Sequence, residues 1–393
     1  MTGPRDVPAS RRPVICGLGL TELGKVYGPA AAQFAADAVR LAAADAGLAL
    51  ADIDGLLVSS GVTNGVHLDL QLDLGLRDLA LLSEMQAYGS TAGAMVQVAS
   101  MAVQSGMAST VACVWADAPL HPGRSGAAAY GAAAAERPGW PGLAAAAGIT
   151  SANHRYAMAA RRHMERYGTT SEQLGAIAVA QRDWAVLNPL AQLRTPITIE
   201  DYLASRWVAE PFRLLDCCLV SNGGAAVIVT SADRAAGLRP PPVYVRGWAQ
   251  AHPGHSGRRF DDFGLVSGAA TAGPAALRMA GVDLADIDVV ELYDCYTYTV
   301  LVTLEDYGFC AKGEGGPFAA SGVLGPDGKL KVNTGGGQLS AYYLWGMTPL
   351  SEAVIQARGQ AGHRQVPDHD LVLVSGNGGV LDHHSTLVLA TAG

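Results

Sequence analysis

The sequence predicts an α/β fold made of two related halves, in which strands alternate with helices in βαβαβ order. The first observation behind this prediction is an internal repeat. The segment Ala46–Asp54 matches Ala280–Asp288, and each copy leads from an Ala-rich helical stretch into an apolar strand. The second is that each copy is later followed by a Gly-rich turn, a long amphipathic helix and another strand. Such an alternation predicts mixed or largely parallel sheets with helices on their faces.

The predicted elements form the same series in each half. In the first half they are the strands Gly55–Ser59 and Leu81–Gln86, a helix from the turn at Tyr88 to about Ser105, and the strand Ser109–Trp115. In the second half they are the strands Val289–Tyr293 and Val332–Gly337, a helix from about Ser340 to Arg358, and the strand Asp370–Ser375. We therefore assign residues 1–240 to the N-terminal half and residues 241–393 to the C-terminal half.

An insertion at about residues 117–210 interrupts the first half. Its first part, Pro119–Gly142, has the Gly, Pro and Ala content of an exposed, flexible segment. Two helices opened by serine are predicted behind it, Ser151–Tyr167 and Ser171–Leu187. We expect this region to cover a substrate.

Composition limits the classes of function. The formal net charge of -8, from 27 Lys and Arg against 35 Asp and Glu, argues against a nucleic-acid surface. No apolar run approaches a membrane span and the N-terminus lacks an apolar signal core, so a cytoplasmic location is predicted. The six cysteines have neither metal-site nor secreted-framework spacing, and we expect reduced, buried thiols.

Four stretches carry a resemblance to a known family. Glu291–Tyr298 (ELYDCYTY) and Val332–Gly346 (VNTGGGQLSAYYLWG) resemble the thiolase active-site motifs that usually read HDCF and NxxGGxxxxGHPxGxT. Tyr156–Leu174 and Pro211–Val227 resemble the sterol carrier protein type of thiolase. The resemblance covers nearly the whole chain. It implies the thiolase fold, with two stacked mixed sheets that share a helical core layer.

The residues of acyl transfer are missing from these motifs. The family places a nucleophilic cysteine shortly before a Gly-Ser-Thr-Ala stretch, but no cysteine lies within twenty residues of Gly89–Ala92. Ser90 is a candidate substitute that would need an adjacent base. The second family cysteine is replaced by Ser375–Val380, where Asn377 and Gly378 are candidates for an oxyanion site or simply permit a tight turn.

Tyrosines occupy both family histidine positions. On the motif match, Tyr293 replaces one histidine and Tyr343 replaces the base that activates the nucleophile. Together with Thr299–Gly315, they resemble the thiolase-like aldolases that cleave steroid side chains held as coenzyme A thioesters. The resemblance implies a catalytic tyrosine pair. Asp294 is expected to orient a neighbour or to cap the following helix, and Tyr296 is a further candidate close in sequence.

Retro-aldol cleavage explains how such a site works without cysteine. It needs an acid, a base and donors for an enolate oxygen, and no acyl group moves to the enzyme. The four lysines lie in polar or Gly-rich contexts unsuited to a Schiff base, and no histidines have metal-ligand spacing. No cofactor or metal is expected, because coenzyme A is part of the substrate. Candidates to bind it are Gly337 and three arginines, Arg155, Arg161 and Arg162. These arginines lie on a basic helix that also carries His163 and Arg166, and a solvated helix face is the favoured explanation of these charges.

The sequence therefore predicts a lyase that splits a β-hydroxyacyl-CoA, with a steroid or another bulky acyl group, into a ketone and a short acyl-CoA. Two alternatives stay open: a non-catalytic acyl-CoA or lipid-binding homologue, and an acyltransferase with an atypical nucleophile. The resemblance also implies a homodimer with the strand Ser109–Trp115 near the contact. It further implies a small zinc-ribbon/OB-fold partner that is often attached to an acyl-CoA hydratase.

Overall fold

The computed structural model describes residues 8–126, 129–130, 142–254 and 263–393. Its strands are β1 (Pro13–Leu20), β2 (Gly55–Ser59), β3 (Leu81–Glu84), β4 (Thr110–Asp117), β5 (Trp207–Ala209), β6 (Phe212–Arg213), β7 (Gly223–Ser231), β8 (Val243–Ala251), β9 (Val289–Glu291), β10 (Lys331–Val332), β11 (Leu371–Gly378) and β12 (His383–Ala390). Its α-helices are α1 (Ala31–Ala46), α2 (Leu70–Asp73), α3 (Thr91–Ser105), α4 (Leu143–Ala146), α5 (Ala152–Tyr167), α6 (Ser171–Val186), α7 (Ile199–Ala204), α8 (Ala232–Ala235), α9 (Ala269–Ala280), α10 (Thr297–Tyr307), α11 (Gly315–Ala320) and α12 (Met347–Ala357).

Ten strands form one continuous sheet that consists of two five-stranded mixed parts, named here the first and the second sheet, with the same strand order. The first sheet runs β3-β2-β4-β7-β1 and the second runs β10-β9-β11-β12-β8. In each sheet the first three strands are parallel and the last two are antiparallel to their neighbours. A short antiparallel pairing of Val14 and Ile15 with Tyr244 and Val243 joins the sheets through β1 and β8.

The sequence repeat folds into equivalent local structures. The carboxylate of Asp54, at the end of the first copy, accepts a hydrogen bond from the N–H of Ser109, 2.8 Å away, at the start of β4. Asp288 ends the second copy and accepts from the N–H of Leu371, 2.9 Å away, at the start of β11. The same residue type therefore fixes the same strand junction in both halves.

Helices cover the sheets in three layers. The apolar face of α1 packs on the outer side of the first sheet, and α9 packs on the outer side of the second. The helices α3 and α12 contact each other, and both contact strands of both sheets. The prediction of two related halves around a shared helical layer is confirmed.

The predicted helix from Ser340 to Arg358 is wrong in its first part. The chain forms one π-helical turn at Gly337–Ala341, becomes extended at Tyr342, and enters α12 only at Met347. One reason is that the carboxylate of Asp294 accepts hydrogen bonds from the first N–H groups of the π-helical turn. The tyrosine-bearing segment is thus a link between two helical pieces rather than part of one helix.

The strand that the resemblance places near a dimer contact, β4, lies between β2 and β7 and is buried along its whole length, so its own edges are already paired. The free edge of the first sheet is β3, in which every second residue is exposed.

The insertion holds α4 to α7 and the small β5–β6 ribbon. The helix α6 begins at Ser171 as predicted, but Thr170 is its cap: the Thr170 hydroxyl accepts from the N–H of Gln173, and the Gln173 side chain accepts from the N–H of Thr170. Much of the predicted flexible segment Pro119–Gly142 lies outside the described residues. Among the helices that are described, none has the length and apolar character needed to span a membrane.

Candidate active site

The candidate site lies where β9 and β11 end side by side. Tyr293 follows the last residue of β9 by two positions, and Asn377 and Gly378 are the last residues of β11. Because these strands are parallel neighbours, their carboxyl ends meet at one edge of the sheet, where α/β folds bind ligands. Tyr343 reaches the same edge from the link in front of α12.

Tyr293 is held at both ends. Its backbone N–H donates to the Ser375 hydroxyl, 3.0 Å away, on the neighbouring strand. Its ring lies against Gly89, where an added Cβ would stand 2.2 Å from the Cζ atom that carries the hydroxyl. The residue is 4% exposed. The phenol therefore reaches the turn in front of α3, which is the position of the nucleophile in the thiolase motif.

Tyr343 is also held by its backbone and buried. Its backbone N–H donates to the Ser221 hydroxyl, 3.1 Å away, and the residue is 9% exposed. The ring meets that of Tyr130 edge to face, with 6.3 Å between centroids. The neighbouring Tyr342 turns away, because its hydroxyl bonds to the Ser351 hydroxyl at 2.9 Å. Of the two adjacent tyrosines, Tyr343 is therefore the one whose side chain lies next to Tyr293.

The two phenols influence each other's acidity. Burial raises the pKa of Tyr293 well above its usual value, and the nearby Tyr343 adds to that rise. Burial likewise raises the pKa of Tyr343, while a hydrogen bond with Tyr293 acts in the opposite direction. Both side chains are therefore neutral phenols at physiological pH. Each carries a proton to donate and lone pairs that can accept one.

Asp294 connects the two tyrosine segments. Its carboxylate accepts from the backbone N–H of Gln338 at 2.9 Å and from that of Leu339 at 3.2 Å. At Gly337 an added Cβ would lie 2.1 Å from Oδ2 of Asp294, so only glycine fits beside the carboxylate. Burial raises the pKa of Asp294 to about 6. The prediction that Asp294 caps the following helix is wrong, since α10 has Tyr296 as its N-cap. Asp294 instead caps the π-helical turn that leads to Tyr343.

The candidates on the nucleophile side are bound within the fold. The Ser90 hydroxyl donates to the carbonyl of Ala87 at 2.9 Å, within its own turn. Gly378 packs on that turn, with the Ala87 oxygen 2.5 Å from where a Cβ would be. Asn377 is fully buried, and its Oδ1 has no hydrogen-bond partner among the described residues.

The remaining candidates lie at the edge of the site or outside it. The ring of Tyr296 stacks on Phe212, and its hydroxyl donates to Asn153 at 2.5 Å. Arg155 is exposed, and Arg161 is exposed and pairs with Glu210 at 2.7 Å. The remaining candidate of the basic helix, Arg162, donates to the carbonyl of Phe263 at 3.2 Å.

His163, on the same helix, does not reach the surface. It is fully buried, with Nε2 3.1 Å from the Glu305 carboxylate and Nδ1 2.8 Å from the Thr169 hydroxyl. It therefore anchors α5 to α10 and is not available to bind a phosphate. On the same helix, the guanidinium of Arg166 lies 5.9 Å from the centre of the Tyr167 ring.

The structure adds two tyrosines that sequence reasoning missed. The Tyr156 hydroxyl on α5 lies 3.4 Å from Nδ2 of Asn377, and the buried hydroxyl of Tyr130 has no hydrogen-bond partner among the described residues. Tyr156 opens one of the stretches that resemble the sterol carrier protein type of thiolase, but nothing local distinguishes it from a core tyrosine.

The cysteines do not supply a replacement nucleophile. All six are free, and burial raises the pKa of each thiol. A nucleophilic cysteine needs the opposite shift, because the thiolate is the reactive form. The arrangement thus offers neutral phenols and amide groups in an enclosed site, which suits proton transfer.

Comparisons with known proteins show the family of this chain. Residues 249–391 match the family described as thiolase C-terminal domain-like. The chain is 38% identical to a steroid side-chain-cleaving aldolase of Thermomonospora curvata, over 93% of this chain and 95% of the relative. It is 35% identical to a 17-hydroxy-3-oxo-4-pregnene-20-carboxyl-CoA lyase of Mycobacterium tuberculosis, over 94% and 97%. A solved structure described as an Ltp2-ChsH2(DUF35) aldolase superposes with a TM-score of 0.85 at 35% identity, covering 98% of each chain.

Proposed function

The chain belongs to the thiolase superfamily, and from that premise we propose that it is a retro-aldolase acting on a β-hydroxyacyl-CoA. The substrate class is a steroid with a 17-hydroxylated side chain held as a coenzyme A thioester. The products are a 17-ketosteroid and propionyl-CoA or acetyl-CoA. The names of relatives that match over nearly their full length support this class.

The observation that carries the proposal is the buried tyrosine pair. Tyr293 and Tyr343 occupy the two family histidine positions, come from different segments, and lie close enough to change each other's pKa. Thiolysis needs a cysteine with a lowered pKa, whereas every cysteine here has a raised one. Carbon–carbon cleavage needs only proton transfer and stabilisation of an enolate.

A proton relay between the two phenols accounts for the reaction without a net change in the charge of either phenol. One phenol accepts the proton of the β-hydroxyl while it passes its own proton towards the other phenol. The Cα–Cβ bond breaks, its electron pair forms the thioester enolate, and the β-carbon becomes the ketone. In the same relay the second phenol transfers its own proton to the α-carbon as it takes up the proton passed from the first, so both phenols are neutral before and after the reaction. The β-hydroxyl proton is replaced at Cα by a relayed one, so no oxidant, no cofactor and no acyl-enzyme is required.

The second part of the proposal concerns partners. The superposed aldolase structure is named for Ltp2 together with ChsH2(DUF35), and we propose that this chain likewise works with a small DUF35 protein. We also propose a homodimer that forms along β3, the free edge of the first sheet. Leu82 on this edge is exposed, as are Leu68 and Leu72 in the connection before it. An unpaired edge strand with apolar side chains is a natural surface for a second copy.

Product analysis tests the reaction. The protein, alone and with a DUF35 partner, is incubated with a 17-hydroxy steroid side-chain acyl-CoA and no free coenzyme A. We expect equal amounts of 17-ketosteroid and short acyl-CoA by liquid chromatography and mass spectrometry. Tight binding of the acyl-CoA without turnover under either condition would show a binding protein instead.

Light scattering coupled to size exclusion tests the assembly. We expect the mass of a dimer for the protein alone, and Leu82→Lys on the β3 edge should shift it towards the monomer because like charges would meet across the contact. A monomer in the unchanged protein, or a dimer unaffected by the lysine, would contradict the proposed interface.

A further inference from the structure

We infer that Tyr156 is a third catalytic tyrosine, whose hydroxyl donates a hydrogen bond to the enolate oxygen formed from the thioester carbonyl. This inference rests on the proposed retro-aldolase function and deepens it. It concerns a residue of the insertion helix α5, which lies outside the two active-site motifs and is not a member of the tyrosine pair.

The position of the Tyr156 hydroxyl is the first argument. The residue is 4% exposed, and its oxygen lies 3.4 Å from Nδ2 of Asn377 at the end of β11. The backbone oxygen of Asn377 and the Tyr293 ring both touch the same point beside Gly89. The hydroxyl of Tyr156 also adds to the pKa shift of Tyr293. A residue from the insertion thus contributes a phenol to the same small volume as the proposed acid and base.

The ring of Tyr156 is fixed by packing rather than by a strong bond to its hydroxyl. It meets the ring of Tyr296 at 4.7 Å between centroids and 37°, and Tyr296 in turn stacks on Phe212 at 4.9 Å and 9°. A stacked ring has few rotamers to lose, so the hydroxyl is preorganised when a ligand binds.

The hydrogen bonds of this hydroxyl suit a donor to an anion. Burial raises the pKa of Tyr156, and the nearby Cys295 thiol adds to the rise, as an acceptor that favours the protonated phenol does. Sulfur is a weak acceptor, so an enolate oxygen would replace it at a large gain. The backbone N–H groups of Val380 and Leu381 act in the opposite direction on the same pKa. They favour negative charge on the phenol oxygen, which grows as the proton is shared with the enolate.

The backbone beside the hydroxyl is strained in a way that supports a role in function. Gly379, Val380 and Leu381 follow one another with φ of 63°, 61° and 69°. Left-handed conformation is costly for a β-branched residue such as valine and tends to persist where function requires it. Here the strain places two N–H groups behind the Tyr156 oxygen. The unpaired Oδ1 of Asn377 lies beside the same point.

The test separates enolate formation from cleavage of the β-hydroxyl substrate. Exchange of the α-protons of propionyl-CoA in D2O requires the enolate but no β-hydroxyl. Tyr156→Phe is expected to lower both the exchange rate and kcat for steroid cleavage by about 100-fold or more. Tyr342→Phe is the matched control: it removes an equally buried hydroxyl that bonds to Ser351 away from the site, and it should keep both rates within about threefold of the original protein.

Three results would overturn the inference or its premise. If the unchanged protein cleaves the steroid thioester and Tyr156→Phe keeps exchange and cleavage within about threefold, Tyr156 only packs the insertion. If the unchanged protein shows neither activity, the proposed function falls and this inference with it. If Tyr156→Phe does not fold, 3-fluorotyrosine at position 156 makes the phenol more acidic with little change in shape. The exchange rate should then rise, and an unchanged rate would contradict the role.

Discussion

Two turns, one in each half of the molecule, share a left-handed aromatic residue in front of a glycine but differ in the side chains around them. In the first half Tyr88 has φ of 53° and precedes Gly89, ahead of the core helix α3. In the second half Trp345 has φ of 50° and precedes Gly346, ahead of α12. The turns pack on each other, since a Cβ on Gly346 would lie 2.4 Å from the Gly89 carbonyl oxygen. The repeat therefore extends to the turns that enclose the candidate site.

The side chains around the two turns differ in burial and in what they contribute to the candidate site. Two residues before Tyr88 the chain has Gln86, which is exposed, whereas two residues before Trp345 it has the buried Tyr343. The strand end of the second half likewise supplies Tyr293. The first half contributes space, because the absence of a side chain at Gly89 leaves room for the Tyr293 ring. A symmetric scaffold has thus placed the Tyr293 and Tyr343 pair in the second half and the glycine surface against which the Tyr293 ring packs in the first.

The largest expected effect comes from the phenols of the second half. Tyr293→Phe and Tyr343→Phe should each lower kcat for steroid thioester cleavage by about 10²- to 10⁴-fold, because each removes a positioned proton-transfer group. Steady-state kinetics with product quantified by mass spectrometry measures this. Tyr342→Phe serves as the control, and full activity in both site variants would refute the tyrosine mechanism.

The next effect contrasts the two left-handed aromatic residues. Trp345 is 6% exposed and its ring lies 6.0 Å from that of Trp115, so Trp345→Ala should cost about 3–5 kcal/mol of unfolding free energy. Tyr88 is 50% exposed, and Tyr88→Ala should cost less than about 1 kcal/mol. Both variants keep a non-glycine residue at the same φ, so urea denaturation reports only packing. Equal losses of unfolding free energy would mean that Trp345 and Tyr88 contribute equally to packing.

Asp294, which caps only the turn of the second half, gives a pH-dependent effect. Its pKa is raised from 3.8 to about 6 by burial, so its stabilising contribution is present in full below its unfolded pKa and is lost as pH rises through 6. Asp294→Asn does not titrate. The stability of the original protein relative to this variant should therefore fall between pH 4 and pH 6, by at most about 3 kcal/mol, and stay level above that range.

Urea denaturation of both proteins at a series of pH values measures this difference. A stability difference that rises with pH in the same window would reverse the sign and contradict the assignment of the raised pKa.

The smallest expected effect concerns the glycine surface in the first half. Gly89→Ala should cost about 1–3 kcal/mol of stability and also lower activity, because its Cβ would displace the Tyr293 ring. Gly247→Ala is a control in which the Cβ would meet the carbonyl of Ala276, 2.2 Å away on α9. It should cost similar stability and leave kcat unchanged at a temperature where both variants are folded. If only the Gly247→Ala control lost activity, the result would contradict a role for Gly89 in the site.

The fold was largely predictable because local sequence patterns and an internal repeat indicate its strands and helices. The strand Gly55–Ser59 was placed at both ends, and the Asp54 and Asp288 junctions follow from the repeated sequence. The false helix near Ser340 shows the limit. Its residues have helical spacing, but the N–H groups that would begin it donate to the buried carboxylate of Asp294. Asp294 lies forty-four residues before Gln338 in the sequence.

The candidate site was predictable only where the resemblance supplied motifs. Tyr293 and Tyr343 each lie in a quoted stretch, and the structure brings those stretches together. Tyr156 was missed because its importance depends on how α5 packs over β11, which no spacing within α5 reveals. The burial of His163 could not be predicted for the same reason: its partner Glu305 is far away in sequence.

A crystal structure of the dimer and its partner, with a non-cleavable analogue of the 17-hydroxy steroid acyl-CoA bound, tests the central claim most directly. The account predicts that the phenol oxygens of Tyr293 and Tyr343 lie within about 3.2 Å of the β-hydroxyl oxygen or of each other, with one of them over the α-carbon. An analogue bound elsewhere, or phenols that point into packed side chains away from the acyl group, would contradict it.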